Sequence, residues 1–286
     1  MLGAVELGGS KVLCAVGDAH DRIAHEARIE TTTPEATLAS VIDFFSPHAS
    51  ALSALGVASF GPLELRADRG AARGTLLSTP KLGWSSVNIR RVLQDALGVP
   101  VQVDTDVNAA SLAEQRWGHA IGADPCVYVT VGTGIGVGVV IDGRPLHGLM
   151  HPELGHMRAP RGDPFAGICP FHGNCIEGLA SAPSLRARLG VAPESVADDH
   201  PVWALEAQHL ATLLSTIVLA YAPERIVLAG GVLQRPGLLE RTREAVLREL
   251  AGYVPRIELS ADGVKGYVVA SRFGMRAGLV GAFALL

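Results

Sequence analysis

Two stretches about half a chain apart share one pattern, and no other feature of the 286 residues constrains the fold as much. "GAVELGGSKVLCAVGD", beginning at Gly3, reads as a strand, a glycine-rich turn and a second strand. "VYVTVGTGIGVGVVIDG", beginning at Val127, reads the same way. Each has a small polar residue at its turn, Ser10 or Thr133, and an Asp closing its second strand, Asp18 or Asp142. Two unrelated β-hairpins satisfy the pattern; so does a duplicated, two-lobed fold, which would place its copies at this separation.

The intervening segments alternate between strand and helix. "PEATLASVIDFFSPH" is helix-like with Pro34 near its start, and "ALGVASFGPLEL" is a strand running into a Gly-Pro loop. "VPVQVDTDVNAASLAEQRWG" is a strand ending in acids, followed by a helix from near Val107. A long helix follows in "PVWALEAQHLATLLSTIVLAYAP", then a buried strand, "RIVLAGGV", an amphipathic helix, "GLLERTREAVLRELAGY", and a short apolar helix at the end. This order predicts an α/β protein. The expected division is a first lobe over residues 1–118, with the helix at 272–286 packing back on it, and a second lobe over 119–271.

Composition narrows the function classes. At 48% hydrophobic and 18% charged residues, the chain can bury a full core. A net charge of −4, with no sustained Lys/Arg run, gives a nucleic-acid backbone nothing to bind. No uninterrupted apolar stretch reaches the roughly 20 residues of a bilayer span, and "MLGAVELGGSK" lacks the features of a signal peptide. The expectation is a cytoplasmic protein acting on small molecules, with Cys14 and Cys126 as buried thiols.

Glycine-rich turns let successive N–H groups converge on an anion. Gly8, Gly9, Ser10 and Lys11 form one such turn, and Gly132, Thr133 and Gly134 another. Gly230 and Gly231 follow the strand "RIVLA", where α/β folds bind ligands. The dinucleotide fingerprint fails on context, because Gly132–Gly138 opens a strand rather than a helix. In "VDTDVNAA", strand alternation points Asp104 and Asp106 the same way. There a carboxylate can orient a bound hydroxyl and take its proton; it can equally be a helix cap.

The spacing His156-x12-Cys169-x2-His172-x2-Cys175 suits a closed tetrahedral Zn²⁺ site. The residues between contain Gly and Pro and cannot form a core of their own, so a structural zinc would hold them. A reduced Cys pair among surface histidines is the alternative. Neither accounts for the nearby Glu153 and Glu177.

Together "ELGGSK", "SFGP", "DTDVNAA", "TVGTGIGVG", "HPELGH", "CPFHGNCIEG" and "LAGGV" resemble the ROK family of sugar kinases over essentially the whole chain. The order and spacing are most similar to its bacterial fructokinase branch. The resemblance implies an actin-like ATPase fold, a duplicated ribonuclease H-like core in two lobes around a cleft that binds ATP and sugar. It implies Asp106 as catalytic base, with Glu153, His156 and Glu177 on sugar hydroxyls and Asn108 nearby. Gly8 to Lys11 and Gly132 to Gly134 would face the phosphates, and Pro183, Gly230 and Gly231 the nucleoside. His156 would serve zinc through one ring nitrogen and sugar through the other. Glu6 stands where many relatives carry Asp, Thr105 replaces the Asn of glucose-type members, and Cys-x2-His replaces the commoner Cys-x-Cys. "TPKLGW" resembles the sugar loop of the fructokinase branch. The expected activity is ATP- and Mg²⁺-dependent formation of fructose 6-phosphate by a homodimer. A broader hexose kinase and a non-catalytic sugar sensor are the rival functions.

Overall fold

The computed structural model describes residues 1–159 and 162–286. In chain order the regular elements are β1 (Leu2–Leu7), β2 (Lys11–Ala19), β3 (Arg22–Glu30), α1 (Pro34–Phe45), β4 (Ala54–Ser59), α2 (Ile89–Leu97), β5 (Val101–Thr105) and α3 (Asp106–Trp117). They continue as β6 (Cys126–Val131), β7 (Ile135–Ile141), β8 (Arg144–Pro145), α4 (Ile176–Ala180), α5 (Ala182–Leu189) and α6 (Val202–Tyr221). The last are β9 (Arg225–Ala229), α7 (Leu238–Leu250), α8 (Val264–Tyr267), β10 (Val268–Ala270) and α9 (Ala277–Ala284).

One sheet has the order β3-β2-β1-β4-β5 and the other β8-β7-β6-β9-β10. In both, the first strand in sequence is central, its next two strands lie to one side, and the later pair lies to the other. In the first sheet β2 pairs antiparallel with β1 and β3, while β1, β4 and β5 run parallel. In the second, β6, β9 and β10 run parallel. The repeated glycine turns are therefore the tips of equivalent strand pairs, and the two halves share a topology as well as a motif.

The chain divides into two compact units: Met1–Trp117 with Gly138–Pro152 and Arg276–Leu286, and Gly118–Val137 with Glu153–Met275. The division expected from the sequence differs by residue 118 and residues 272–275 at the boundaries, and in assigning residues 138–152 to the second lobe. Side chains tie that segment to the first unit: Leu63 donates its N–H to His151 Nε2 at 3.1 Å, and His147 Nε2 lies 2.9 Å from Asp104 Oδ2. Neither link is visible in local sequence.

In the first unit, strand alternation sorts residues by size. Val5, Leu7, Val12, Cys14, Val57 and Val103 join Phe45, Ile89, Leu93 and Trp84 in one core. Ala4, Ala15 and Ala58 lie in a second core with Ala109, Leu279, Ala282 and Phe283. Alanines on that face let α3 and α9 approach closely, and α9 packs against α3 and β1. Glu6, two residues from Ala4 on β1, belongs to the same face. Cys14 is fully buried, and burial pushes its thiol up to about 12. In the second unit α6 is long and apolar enough to cross a bilayer by length and composition, but 67% of its most apolar window is buried. It packs against α7 and α4 as a core helix.

Candidate active site

Each unit carries its own group of candidate residues. In the first, β5 ends at Thr105 and α3 begins at Asp106. The strand alternation expected to align Asp104 with Asp106 therefore stops between them. Asp104 is only 4% exposed, and its Oδ1 accepts from Thr105 N and Asn108 Nδ2, each at 2.8 Å. His147 Nε2 closes the other oxygen. Asn108, expected near sugar, is fully buried; its Nδ2 donates to Asp104, while its Oδ1 has no protein partner.

The capping alternative for Asp106 also takes definite form. The Thr105 hydroxyl accepts Asn108 N–H at 3.2 Å, which is the helix-capping bond. Asp106 Oδ1 accepts only the adjacent Val107 N–H, at 2.9 Å, among the hydrogen bonds of the described residues. Burial raises the Asp106 carboxyl to about 6. Glu6 is raised to about 7, first by burial and then by the charge of Asp106, and its Oε2 is buried with no protein partner. A buried carboxylate with an unsatisfied oxygen, close enough to Asp106 to feel its charge, fits a Mg²⁺ ion, which is bound by one or two carboxylates together with substrate phosphates.

The Gly8–Lys11 turn is closed by the Gly8 N–H to Lys11 O bond at 3.0 Å, with Gly9 and Ser10 exposed. "TPKLGW" folds over its flank. Trp84 is fully buried and donates Nε1–H to Thr32 O at 3.0 Å, while Lys81 Nζ donates to Gly9 O at 2.5 Å.

In the second unit the four expected metal ligands converge: one ligand atom from each of His156, Cys169, His172 and Cys175 lies within 4.8 Å of all the others. Cys169 Sγ is 3.6 Å from His156 Nδ1 and 3.7 Å from His172 Nδ1, and Cys175 Sγ is 3.7 Å from His156 Nδ1. A tetrahedral zinc with ordinary Zn–S and Zn–N bonds separates S from N by about 3.6 Å. The donor set thus fits zinc in chemistry and in spacing. Backbone bonds between Cys169 and Gly173 set the ligand turn, at 3.1 and 2.9 Å. Cys175 caps α4, so Glu177 on that helix is two residues from a ligand.

His156 presents Nδ1 to the thiols, while its Nε2 lies 3.9 Å from Glu177 Oε1. Glu177 Oε2 accepts the Ile135 N–H at 2.9 Å, immediately after the second glycine turn. A Cβ on Gly134 would sit 2.6 Å from that oxygen, so only glycine permits the contact. Glu153 begins the short turn Leu154–His156, and His156 N–H donates to Glu153 O at 3.0 Å. At the other end of the glycine turn, Gly132 O accepts Ala182 N–H at 2.8 Å, bringing the start of α5 alongside. Gly230 packs on the Val131 carbonyl next to this turn. A cavity of about 530 Å³ opens here, lined by Thr133, Pro183, Arg186, Pro193 and Glu194 among others. That volume is within the ordinary range for a small-molecule site.

A second anchor of the metal-loop segment escaped the sequence. Asp163 receives two hydrogen bonds from Arg188 on α5, at 2.9 and 2.5 Å, and lies 2.9 Å from His209 Nε2 on α6. These bonds, with that of Phe165 N–H, hold its carboxyl down to about 2. His147, Lys81 and Asp163 were not singled out because each acts through a partner remote in sequence.

The family model described as "ROK family" matches residues 2–286. A fructokinase of Zymomonas mobilis is 41% identical, with 99% of this chain and 95% of that protein covered. A fructokinase of Lactococcus lactis is 37% identical over 88% of this chain and 86% of its own. Among solved structures, a ROK hexokinase from Thermus thermophilus superposes with a TM-score of 0.78 at 28% identity, covering 99% of this chain and 97% of that one. A ROK glucokinase from Streptomyces griseus, solved with glucose and AMPPNP, has the same fold at a TM-score of 0.76 and 24% identity, with 99% and 98% covered.

Proposed function

The chain belongs to the ROK family, and from that premise we propose that it transfers the γ-phosphoryl group of ATP to D-fructose, giving fructose 6-phosphate. Sugar kinase activity follows from the family, and the fructokinase relatives at 34–41% identity favour fructose over glucose. The observation that carries the mechanism is Asp106, a half-buried carboxylate relieved of capping duty by Thr105 and raised by burial to about 6. A base with that affinity for protons is ionised at neutral pH and accepts the proton of the attacking hydroxyl as the bond to phosphorus forms.

In this reading Glu153, Glu177 and His156 Nε2 bind sugar hydroxyls. Glu177 is held for that work by Ile135 N–H, and His156 by the thiolate side of its ring. Asn108 acts one step back: it and His147 fix Asp104 beneath the Thr105–Asp106 junction. The Gly8–Lys11 and Gly132–Gly134 turns hold phosphate oxygens, and Pro183, Gly230 and Gly231 flank the nucleoside. Mg²⁺ held by Glu6 would supply positive charge to the phosphates. Zinc held by His156, Cys169, His172 and Cys175 would supply no chemistry beyond fixing the loop. The proposal extends to a cytoplasmic homodimer, as the family resemblance implies.

A coupled ADP-release assay over fructose, mannose, glucose and N-acetylhexosamines tests it. A clear preference for fructose in kcat/KM is expected. Equal turnover of glucose and mannose would favour the broader hexose kinase, and no turnover of any sugar would favour the sensor.

A further inference from the structure

The carbonyls of the first glycine turn are all held from one side. Gly8 O accepts the Thr31 hydroxyl at 2.8 Å, and Ser10 O accepts Thr31 N–H at 3.1 Å. Gly9 O accepts the Lys81 ammonium at 2.5 Å, from 72 positions away, and the same ammonium lies 3.5 Å from Thr31 O. The cis bonds of the described chain are at Gly61-Pro62 and Asp124-Pro125, so the peptides of this turn are trans. In a trans peptide the C=O of one residue and the N–H of the next lie in one plane and point in opposite directions. Pinning the Gly8 and Gly9 carbonyls towards Thr31 and Lys81 therefore turns the Gly9 and Ser10 N–H groups away from them, together. N–H groups turned away from a common wall on exposed residues form the kind of concavity that binds an anion.

Thr31 follows β3, whereas Lys81 comes from the segment between β4 and α2 and is the partner that carries charge. That loop is rigid at its base. Trp84 is buried against Phe60, their ring centroids 5.5 Å apart, and Lys81 O accepts Trp84 N–H at 3.2 Å. A cation on a carbonyl oxygen also withdraws electron density from its peptide, making the Ser10 N–H a stronger donor.

We propose that Lys81 is a positioning residue for phosphoryl transfer: by holding the Gly9 carbonyl, it orients and polarises the Ser10 N–H towards the transferring phosphate. The inference rests on the phosphate-binding role given above to the Gly8–Lys11 turn. It makes "TPKLGW" part of the phosphate machinery as well as a sugar loop. Donors fixed in place before reaction need no reorganisation when charge develops, so losing the pin affects the transition state more than the bound sugar.

The test uses Lys81→Met and Lys81→Arg in the full chain. Lys81→Met is expected to lower kcat by about tenfold or more, with fructose KM and melting temperature little changed. It should weaken a non-hydrolysable ATP analogue more than it weakens ADP. Lys81→Arg keeps a cationic donor and should recover most of the loss. Wild-type kcat in Lys81→Met would overturn the proposal. So would a matched loss of melting temperature and fructose KM that arginine does not rescue, since that marks a tether for the loop. If the wild-type protein phosphorylates no sugar, the proposed function fails. The binding comparison between ATP analogue and ADP then still decides on Lys81: equal weakening of both would overturn it.

Discussion

Glu6 occupies the space in which Gly278 would carry a side chain. A Cβ at position 278 would lie 2.6 Å from Glu6 Cδ, 2.8 Å from Cγ and 2.9 Å from Oε1. The strand acid is one methylene longer than Asp, and a glycine of α9 makes room for it. Helix propensity alone favours alanine over glycine by about 1 kcal/mol, so Gly278→Ala would stabilise α9 if the contact did not matter. The expected result is the opposite: a lower melting temperature and a lower kcat, as Glu6 is driven from Asp106. The double variant Glu6→Asp, Gly278→Ala should regain the melting temperature. Thermal melts of the three proteins check this, and a single variant as stable as wild type counts against it.

Asp106→Asn preserves shape and removes the base. Turnover should drop by roughly 10² or more, with sugar affinity largely kept. The pH dependence has a definite sign. Burial raises Asp106 to about 6, so the ionised base is present above that value and is lost as pH falls through it. The acid limb of kcat/KM should bend near pH 6, and kcat/KM should fall about tenfold per unit below it. A limb near pH 4, or near-normal kcat in Asp106→Asn, would assign the base elsewhere.

One zinc per chain is expected in protein purified without added metal. Cys169→Ser should lower zinc content and melting temperature and raise fructose KM, because the loop carrying His156 and Glu177 loosens. Glu177→Gln should keep zinc and melting temperature, since an amide oxygen can still accept Ile135 N–H. It should weaken fructose binding by roughly 1.5–3 kcal/mol through loss of a charged acceptor. Elemental analysis, melting and KM on both variants decide the matter. Normal fructose binding in a zinc-free Cys169→Ser protein would separate the metal from the sugar wall.

Asp163 supplies the acid-sensitive part of the loop's attachment. Its carboxyl is depressed from the ordinary 3.8 to about 2, chiefly by the Arg188 hydrogen bonds. A depressed carboxyl stabilises the fold above the unfolded value and loses that contribution as pH falls from about 4 through about 2. The shift corresponds to about 2 kcal/mol. Asp163→Asn should cost about 3 kcal/mol at neutral pH, since it leaves the Arg188 guanidinium without its counter-charge. The gap between wild type and variant should narrow below pH 4. Denaturant unfolding at pH 7 and pH 3 measures both, and an equal gap at the two values would remove Asp163 from the account.

What the sequence determined by itself lies within short windows. Hairpin, glycine turn and hairpin again are patterns of fewer than twenty residues, and their recurrence carried the duplicated topology. The Cys/His quartet was legible for the same reason, since a 20-residue segment supplies all four side chains. Tertiary structure decided the relationships between windows. Strand alternation could not separate Asp104 from Asp106, because the change from strand to helix falls between them and sends Asp104 to His147 and Asn108. Nothing near Gly278 announces Glu6, nothing near Gly9 announces Lys81, and Asp163 finds its partners 25 and 46 positions on. Local periodicity and turn chemistry are encoded by neighbours in the chain. The partner of a buried charge or a pinned carbonyl is chosen by packing, which brings distant residues together only when the whole unit folds.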